Sequence, residues 1–327
     1  MLINQLKFQI FNLIFFSGLI SYLLIIPIRY FCKKYKIFDK PNSRKLHKKE
    51  VPNIGGIAIY ISFFLSFILF IQVSDLQLEN FITYSIISFI VFFIGLIDDI
   101  YNLSAFKRLI IQIGLSIFMW SKGIGIKYLT LDFINSGINN IELPISLSIF
   151  ITSIWIVGVM NAINWVDGLN GLASGVVSII FLVISIIAMI KGMTLLSIIC
   201  FCLIGSCQGF LIHNLKPNFI IMGDSGSNFL GFNLSILSLY VASNSDIFQT
   251  NFSILPFIPL LLLGFPIIDM TAVIIKRIKN RQSPFSPDKN HLHHKLINSG
   301  LSIFEINILI YSITFFISSF SFLFVEF

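Results

Sequence analysis

The sequence predicts an all-α, polytopic membrane protein with about ten transmembrane helices. Three observations predict it. Of the 327 residues, 56% are hydrophobic and only 11% are charged, against roughly a quarter charged in soluble domains. Apolar runs long enough to cross a bilayer recur along the whole chain, separated by short polar islands. Positive charge collects in every second island, the asymmetry that membrane insertion leaves behind.

The expected spans are 8–28, 54–73, 81–97, 105–121, 145–163, 172–190, 194–212, 227–243, 254–275 and 303–325. Most approach the ~20 residues that cover ~30 Å of hydrocarbon. The fourth is the weakest, because Lys107 and Arg108 fall in its first turns. The first apolar run continues from Phe8 to Ile26 with no small-residue cleavage site, so it reads as a retained span, not a signal peptide. No internal repeat of the inverted-transporter kind is visible. The chain 1–327 is read as one integral membrane domain.

Charge sets the orientation. The islands at 29–53, 98–108, 164–171, 213–228 and 276–302 hold all but four (Lys7, Lys122, Lys127, Lys191) of the 22 Lys and Arg. Positive charge marks the cytoplasmic side; both termini then lie outside. The insertion rule accounts for the net +7 without any nucleic-acid partner. Cys32, Cys200, Cys202 and Cys207 have no metal-ligand spacing and read as small buried residues. In the outer loop 126–144, partial alternation around Asn135-Ser136-Gly137 fits a short β-hairpin or an irregular cap.

The chemistry-capable residues gather on the inner side, where all five His lie. Asp98 and Asp99 close the third span. Adjacent carboxylates at a membrane boundary repel and are costly to desolvate, which a divalent cation or a proton relieves. A solvated helix end is the plainer reading, but Asp in a last turn opposes the helix dipole. In NAINWVDGLNGL, Asn161, Asn164, Asp167 and Asn170 step by three, one face of a helix if the fifth span continues through them. In MGDSGS, a Gly/Ser-rich helix start suits an anion, and Asp224 suits Mg²⁺ bridging a phosphate. His291, His293 and His294 lie near basic residues and suit phosphate better than zinc, since no Cys or second acid sits at usual spacing. Capping residues and a solvated basic loop are the simpler accounts of these last three motifs.

Together, DKPNSRKLHKKEVPNIGG at 39–56, the Asp pair at 98–99, RLIIQ at 108–112, NAINWVDGLNGL, MGDSGS and HLHH resemble the bacterial polyprenyl-phosphate N-acetylhexosamine-1-phosphate transferases. The resemblance implies a catalytic pair Asp98 and Asp99, a metal site of Asp224 with Asp99 for Mg²⁺ (Mn²⁺ as the alternative), and a nucleotide-sugar site lined by Asn161, Asn164, Asp167 and Asn170. It implies that Arg108 faces phosphate, that His291, His293 and His294 contact the donor, and that Arg44, Lys45 and His47 stand at the cytoplasmic entrance. The expected reaction moves N-acetylhexosamine-1-phosphate from a UDP-sugar to undecaprenyl phosphate and releases UMP, starting O-antigen or another envelope glycan. UDP-GlcNAc leads; UDP-FucNAc and UDP-QuiNAc follow. The expected location is the bacterial inner membrane with the site facing the cytoplasm. The expected partners are the donor, the lipid acceptor and the bilayer, with a homodimer left open. A transporter of the same topology is disfavoured, because the spans carry almost no charge at their centres. An inactive scaffold is disfavoured because every motif acid is present.

Overall fold

A computed structural model describes residues 2–41, 49–70, 78–130, 140–243, 253–254, 256–284 and 290–325. Helices stand at all ten expected places. Among the described residues six helical stretches are long and apolar enough to cross a membrane: those of α1 (Leu2–Tyr35), α3 (Leu78–Tyr101), α5 (Ile145–Val166), α6 (Leu172–Ile190), α7 (Thr194–Asn214) and α12 (Ile303–Ser319) with the 3-10 turn that extends it to Phe324. The others are α2 (Gly56–Phe70), α4 (Ala105–Ser121), α8 (Gly223–Ala242) and the pair α9 (Phe257–Leu262) and α10 (Gly264–Lys279). The ninth expected span is thus broken at Leu263. A short α11 (Leu292–Asn298) lies in what reads from the sequence as a loop. Leucine, isoleucine and phenylalanine side chains of α1, α3, α5 and α12 point outward, as a lipid-facing surface requires. The chain is a multi-pass membrane protein.

The centre of the bundle is α8. Every residue from Ser225 to Ala242 is buried, which explains its Asn and Ser content: it faces other helices, where polar side chains find partners. Tyr84 of α3 donates its hydroxyl to Asn233 of α8, and Trp155 Nε1 of α5 donates to the Ser235 carbonyl of α8 at 3.0 Å.

Two small sheets complete the fold. The first loop folds back on itself as β1 (Phe38–Asp39) antiparallel to β2 (Val51–Pro52). Its continuation docks on the strand-like approach to α8. Ile221 N donates to the Pro52 carbonyl at 2.9 Å, Gly55 N to that of Ile221 at 3.1 Å, and Gly56 N to that of Met222 at 2.8 Å. On the opposite side, β3 (Tyr128–Thr130) and β4 (Asn140–Glu142) pair antiparallel, as a hairpin would; the turn expected at Asn135-Ser136-Gly137 lies outside the described residues. A strand β5 (Ser253–Ile254) adds parallel to β3; nothing in the sequence pattern announced it.

Gly56 shows how closely α2 meets α8. A Cβ there would lie 2.2 Å from the Gly226 nitrogen. Overpacking of that kind costs about 1–3 kcal/mol. We expect Gly56→Ala to lower the melting temperature of the detergent-purified protein. Gly114→Ala, where an added Cβ meets nothing within 4 Å, serves as the control and is expected to lose nothing. Equal losses in the two variants would contradict the close approach.

Candidate active site

The site forms where the ends of α3, α5 and α10 meet the beginnings of α4, α8 and α11. Neighbouring residues on a helix do not share a face, so Asp98 and Asp99 part company. Asp98 Oδ1 accepts from the Leu103 backbone N–H at 2.6 Å, where the chain turns through Asn102 at φ 53°. Asp98 Oδ2 accepts from Arg108 Nη1 at 2.8 Å. Asp99 reaches a different element. Its Oδ1 accepts from Asp224 N at 2.7 Å and its Oδ2 from Ser225 N at 2.9 Å. Asp99 therefore caps the first turn of α8, a role that a carboxylate at a helix N-terminus fills well.

The carboxylate that Asp98 meets is that of Asp224. Arg108 Nη1 lies 3.1 Å from Asp224 Oδ1 while bonded to Asp98, so one guanidinium joins the two acids. Asn164 Nδ2 donates to the same Asp224 oxygen and to Ser227 Oγ at 2.9 Å. Asp98 is 4% exposed, so its charge needs this partner. The expected metal pair was Asp224 with Asp99. The structure brings both to the start of α8, engages the Asp99 oxygens with backbone N–H groups, and turns Asp98 toward Asp224 as well.

The α5 helix continues to Val166, with Asp167 as its cap. The four polar residues that step by three consequently have separate fates. Asn164 reaches Asp224. Asp167 sits within reach of the Gly223 backbone N–H; burial, with repulsion from Asp224, pushes its pKa well above the usual carboxylate range. Asn161 turns inward, donating to Gln112 Oε1 at 2.9 Å. Asn170 lies past the helix, its carbonyl accepting from Asn307 Nδ2 of α12 at 2.9 Å. The turn is pinned by a residue that sequence reasoning missed: Asn214 Oδ1 accepts from Gly171 N at 2.5 Å, and its Nδ2 donates to the Ile220 carbonyl at 2.9 Å.

The His cluster is anchored by Asp269, a carboxylate in an otherwise apolar stretch. Such a residue asks for a partner, and that was the signal available in the sequence. Asp269 Oδ2 pairs with His291 Nδ1 at 2.7 Å, and its Oδ1 accepts from Leu292 N at 2.8 Å. His291 also meets Trp165 edge-on, with ring centroids 5.6 Å apart. His293 is set deeper than its neighbours. It is 3% exposed, its Nε2 has no hydrogen-bond partner, and it packs on Gly168. Burial, aided by repulsion from His294 and His291, holds its pKa down at about 3, which favours the neutral ring. The His294 ring meets that of His293 at a tilt, with centroids 4.4 Å apart, and stays partly open. Arg44, Lys45 and His47 lie outside the described residues.

The fate of His293 generates a pH prediction. Its folded pKa lies below the unfolded value of ~6.5, so below that pH the unfolded chain binds the proton and the folded one does not. Stability from this group is full above pH ~6.5 and falls toward pH 3, by up to about 1.4 kcal/mol per pH unit. We expect His293→Gln to flatten the acid side of the melting-temperature profile between pH 7 and 5. A variant that loses stability on acidification as steeply as the native protein would contradict the neutral ring.

Comparison with known proteins gives the family. Residues 81–242 match the model of glycosyl transferase family 4. The chain is 38% identical over 290 residues to the probable undecaprenyl-phosphate N-acetylglucosaminyl 1-phosphate transferase of Bacillus subtilis (strain 168), covering 88% of this chain and 77% of that one. It is 29% identical over 289 residues to the undecaprenyl-phosphate alpha-N-acetylglucosaminyl 1-phosphate transferase of Escherichia coli (strain K12), covering 87% and 75%. The enzyme of that name from Salmonella typhi is 30% identical over 274 residues, covering 82% and 71%. The chain belongs to glycosyl transferase family 4.

Proposed function

We propose that this protein transfers GlcNAc-1-phosphate from UDP-GlcNAc to undecaprenyl phosphate at the cytoplasmic face of a bacterial inner membrane, releasing UMP. The observation that carries the reading is the Arg108 guanidinium held between Asp98 and Asp224, at the ends of helices that otherwise bury apolar side chains. The names of the similar proteins supply the sugar and the lipid. The reaction would begin an envelope glycan; O antigen is one candidate.

The transfer asks the protein for positioning and charge neutralisation more than for covalent chemistry. A lipid-phosphate oxygen attacks the sugar-bearing phosphorus, and the bond to UMP breaks. Asp98 takes up a proton from the lipid phosphate where one remains, since the second pKa of a phosphate monoester lies near 6. Arg108 faces the phosphates and stabilises charge on their oxygens. Asn164 holds the Asp224 carboxylate, and Asp99 holds the helix start from which Asp224 projects. His291, with Nδ1 on Asp269, presents its other nitrogen to the donor.

The donor set also fits a magnesium ion. Among the described residues no group of three His, Cys, Asp or Glu side chains forms a complete metal site. Mg²⁺ typically takes only one or two carboxylates and completes its shell with phosphate and water. Asp224 would hold it, with Asp98 beside it left to accept the proton. The ion would supply charge neutralisation of the pyrophosphate.

The test is UMP release by the purified protein with undecaprenyl phosphate, UDP-GlcNAc and Mg²⁺. We expect activity that EDTA removes. We expect Asp98→Asn and Asp224→Asn each to lose at least ~100-fold in turnover while still inserting and purifying as the native chain does. Near-native turnover in both variants would sink the acidic-cluster mechanism. Activity with UDP-FucNAc or UDP-QuiNAc alone would reassign the donor.

A further inference from the structure

Directly beneath the charged cluster lies a second polar layer that repeats it. Each of the three residues around Asp224 Oδ1 has an amide one helical turn deeper on its own helix. Below Arg108 on α4 is Gln112. Below Asn164 on α5 is Asn161. Below Asp224 on α8 is Asn228. These spacings place each pair on one face. The three amides are joined in one direction. Asn161 Nδ2 donates to Gln112 Oε1 at 2.9 Å. Gln112 Nε2 donates to Asn228 Oδ1 at 3.1 Å. Asn228 Nδ2 donates to the backbone carbonyl of Asp224 at 2.9 Å. Gln112 and Asn228 are each 6% exposed, and apolar residues such as Leu115 and Met160 line the space around them.

We propose that Gln112, Asn161 and Asn228 are positioning residues: they lock the rotation of α4, α5 and α8 so that Arg108, Asn164 and Asp224 converge. This rests on the function proposed above. Packing alone leaves a helix some freedom to slide or turn about its axis, because apolar contacts are non-directional. Hydrogen bonds between buried amides have one good register, and between membrane helices they act as directional ties. Gln112 is the hinge of the argument. Only a side chain that accepts on one atom and donates on another can take the bond from α5 and pass one to α8. The final bond reaches the carbonyl of Asp224 itself, so the layer bears directly on the residue whose carboxylate the cluster shares. The polar groups are arranged to set angles; none of the three is assigned contact with a reacting atom.

The experiment compares turnover and folding in the full-length protein in detergent. In the triple variant Gln112→Leu, Asn161→Leu, Asn228→Leu, the network is replaced by apolar side chains and no buried amide is left unpaired, which stability tolerates far better than a single deletion. We expect this variant to melt near the native temperature. Its kcat should fall on the order of tenfold to a hundredfold, the scale that sub-ångström to ångström misplacement produces, with the KM for UDP-GlcNAc within about twofold. A folded triple variant with native kcat, or with a loss carried by KM alone, overturns the proposal.

The exchange variant Gln112→Asn/Asn228→Gln decides the matter where the triple variant does not fold. It preserves the summed reach between α4 and α8. Gln112→Asn still shortens the reach to Asn161 on α5, so we expect each single change to lower kcat and the double change to recover part of the loss; a double variant no better than the worse single overturns the proposal. The native protein in the same assay separates the two ideas. Absence of UMP release from it with every UDP-sugar would refute the proposed function, whereas an active native enzyme indifferent to the triad refutes only the positioning role.

Discussion

The rest of the site depends on the clasp between the Asp99 carboxylate and the first backbone N–H groups of α8. A helix that begins inside a bundle carries unsatisfied donors at its N-terminus, and water is scarce there to satisfy them. Asp99 meets two of these donors, and its negative charge suits the positive end of the helix dipole. Gly223 makes the approach feasible. Its φ is +78°, and a Cβ there would lie 2.0 Å from the Asn53 carbonyl oxygen and 2.6 Å from Asp99 Oδ1. Asn53 in turn donates through Nδ2 to the Asp99 carbonyl at 2.9 Å. The direction and rotation of α8 are thus fixed at its first turn, and Asp224 has one place to project.

Charge bookkeeping around that turn supports a cation. Asp98, Asp99 and Asp224 surround one Arg108, and the intended substrates are themselves anions. Asp99 is partly neutralised by the helix terminus it caps. Asp167 is relieved by its raised pKa. What is left is a pair of carboxylates sharing a single guanidinium, which is too negative a surface to welcome a pyrophosphate without further positive charge. In the function proposed above, a bound cation would supply that charge.

Much of this was legible in the sequence, and the gaps have physical causes. The helices stood out because hydropathy reports transfer to lipid directly. The motifs were legible because polar residues at span ends are conspicuous against an apolar chain. Hydropathy could not separate α8 from a lipid-facing helix, because burial among helices and exposure to lipid both favour apolar residues. The division of labour between Asp98 and Asp99 was hidden because adjacent letters point to different faces, and only tertiary structure says what each face meets. The three His rings could not be told apart, because composition shows a basic cluster but not which ring is buried. Gln112 and Asn228 drew no separate attention, since a lone amide acquires meaning only from the helix opposite. The strand β5 has too few residues for any periodicity.

One turn of chain also makes the two halves of the site a single mechanical body. The segment Trp165–Gly168 touches both. Toward α11, Trp165 meets His291 and carries the Arg277 guanidinium at 4.7 Å over its ring, while Gly168 receives His293. Toward α8, Asp167 reaches the Gly223 backbone N–H, and Asn164, one turn earlier, holds Asp224. Asp269 closes the circuit by fixing both the His291 ring and the start of α11. A displacement of α11 therefore presses on Gly168 and through it on the carboxyl that steadies α8. Interiors packed this closely transmit such strain instead of absorbing it. The glycine at 168 is consequently a contact surface as much as a turn residue: the ring that rests there needs the space a side chain would fill.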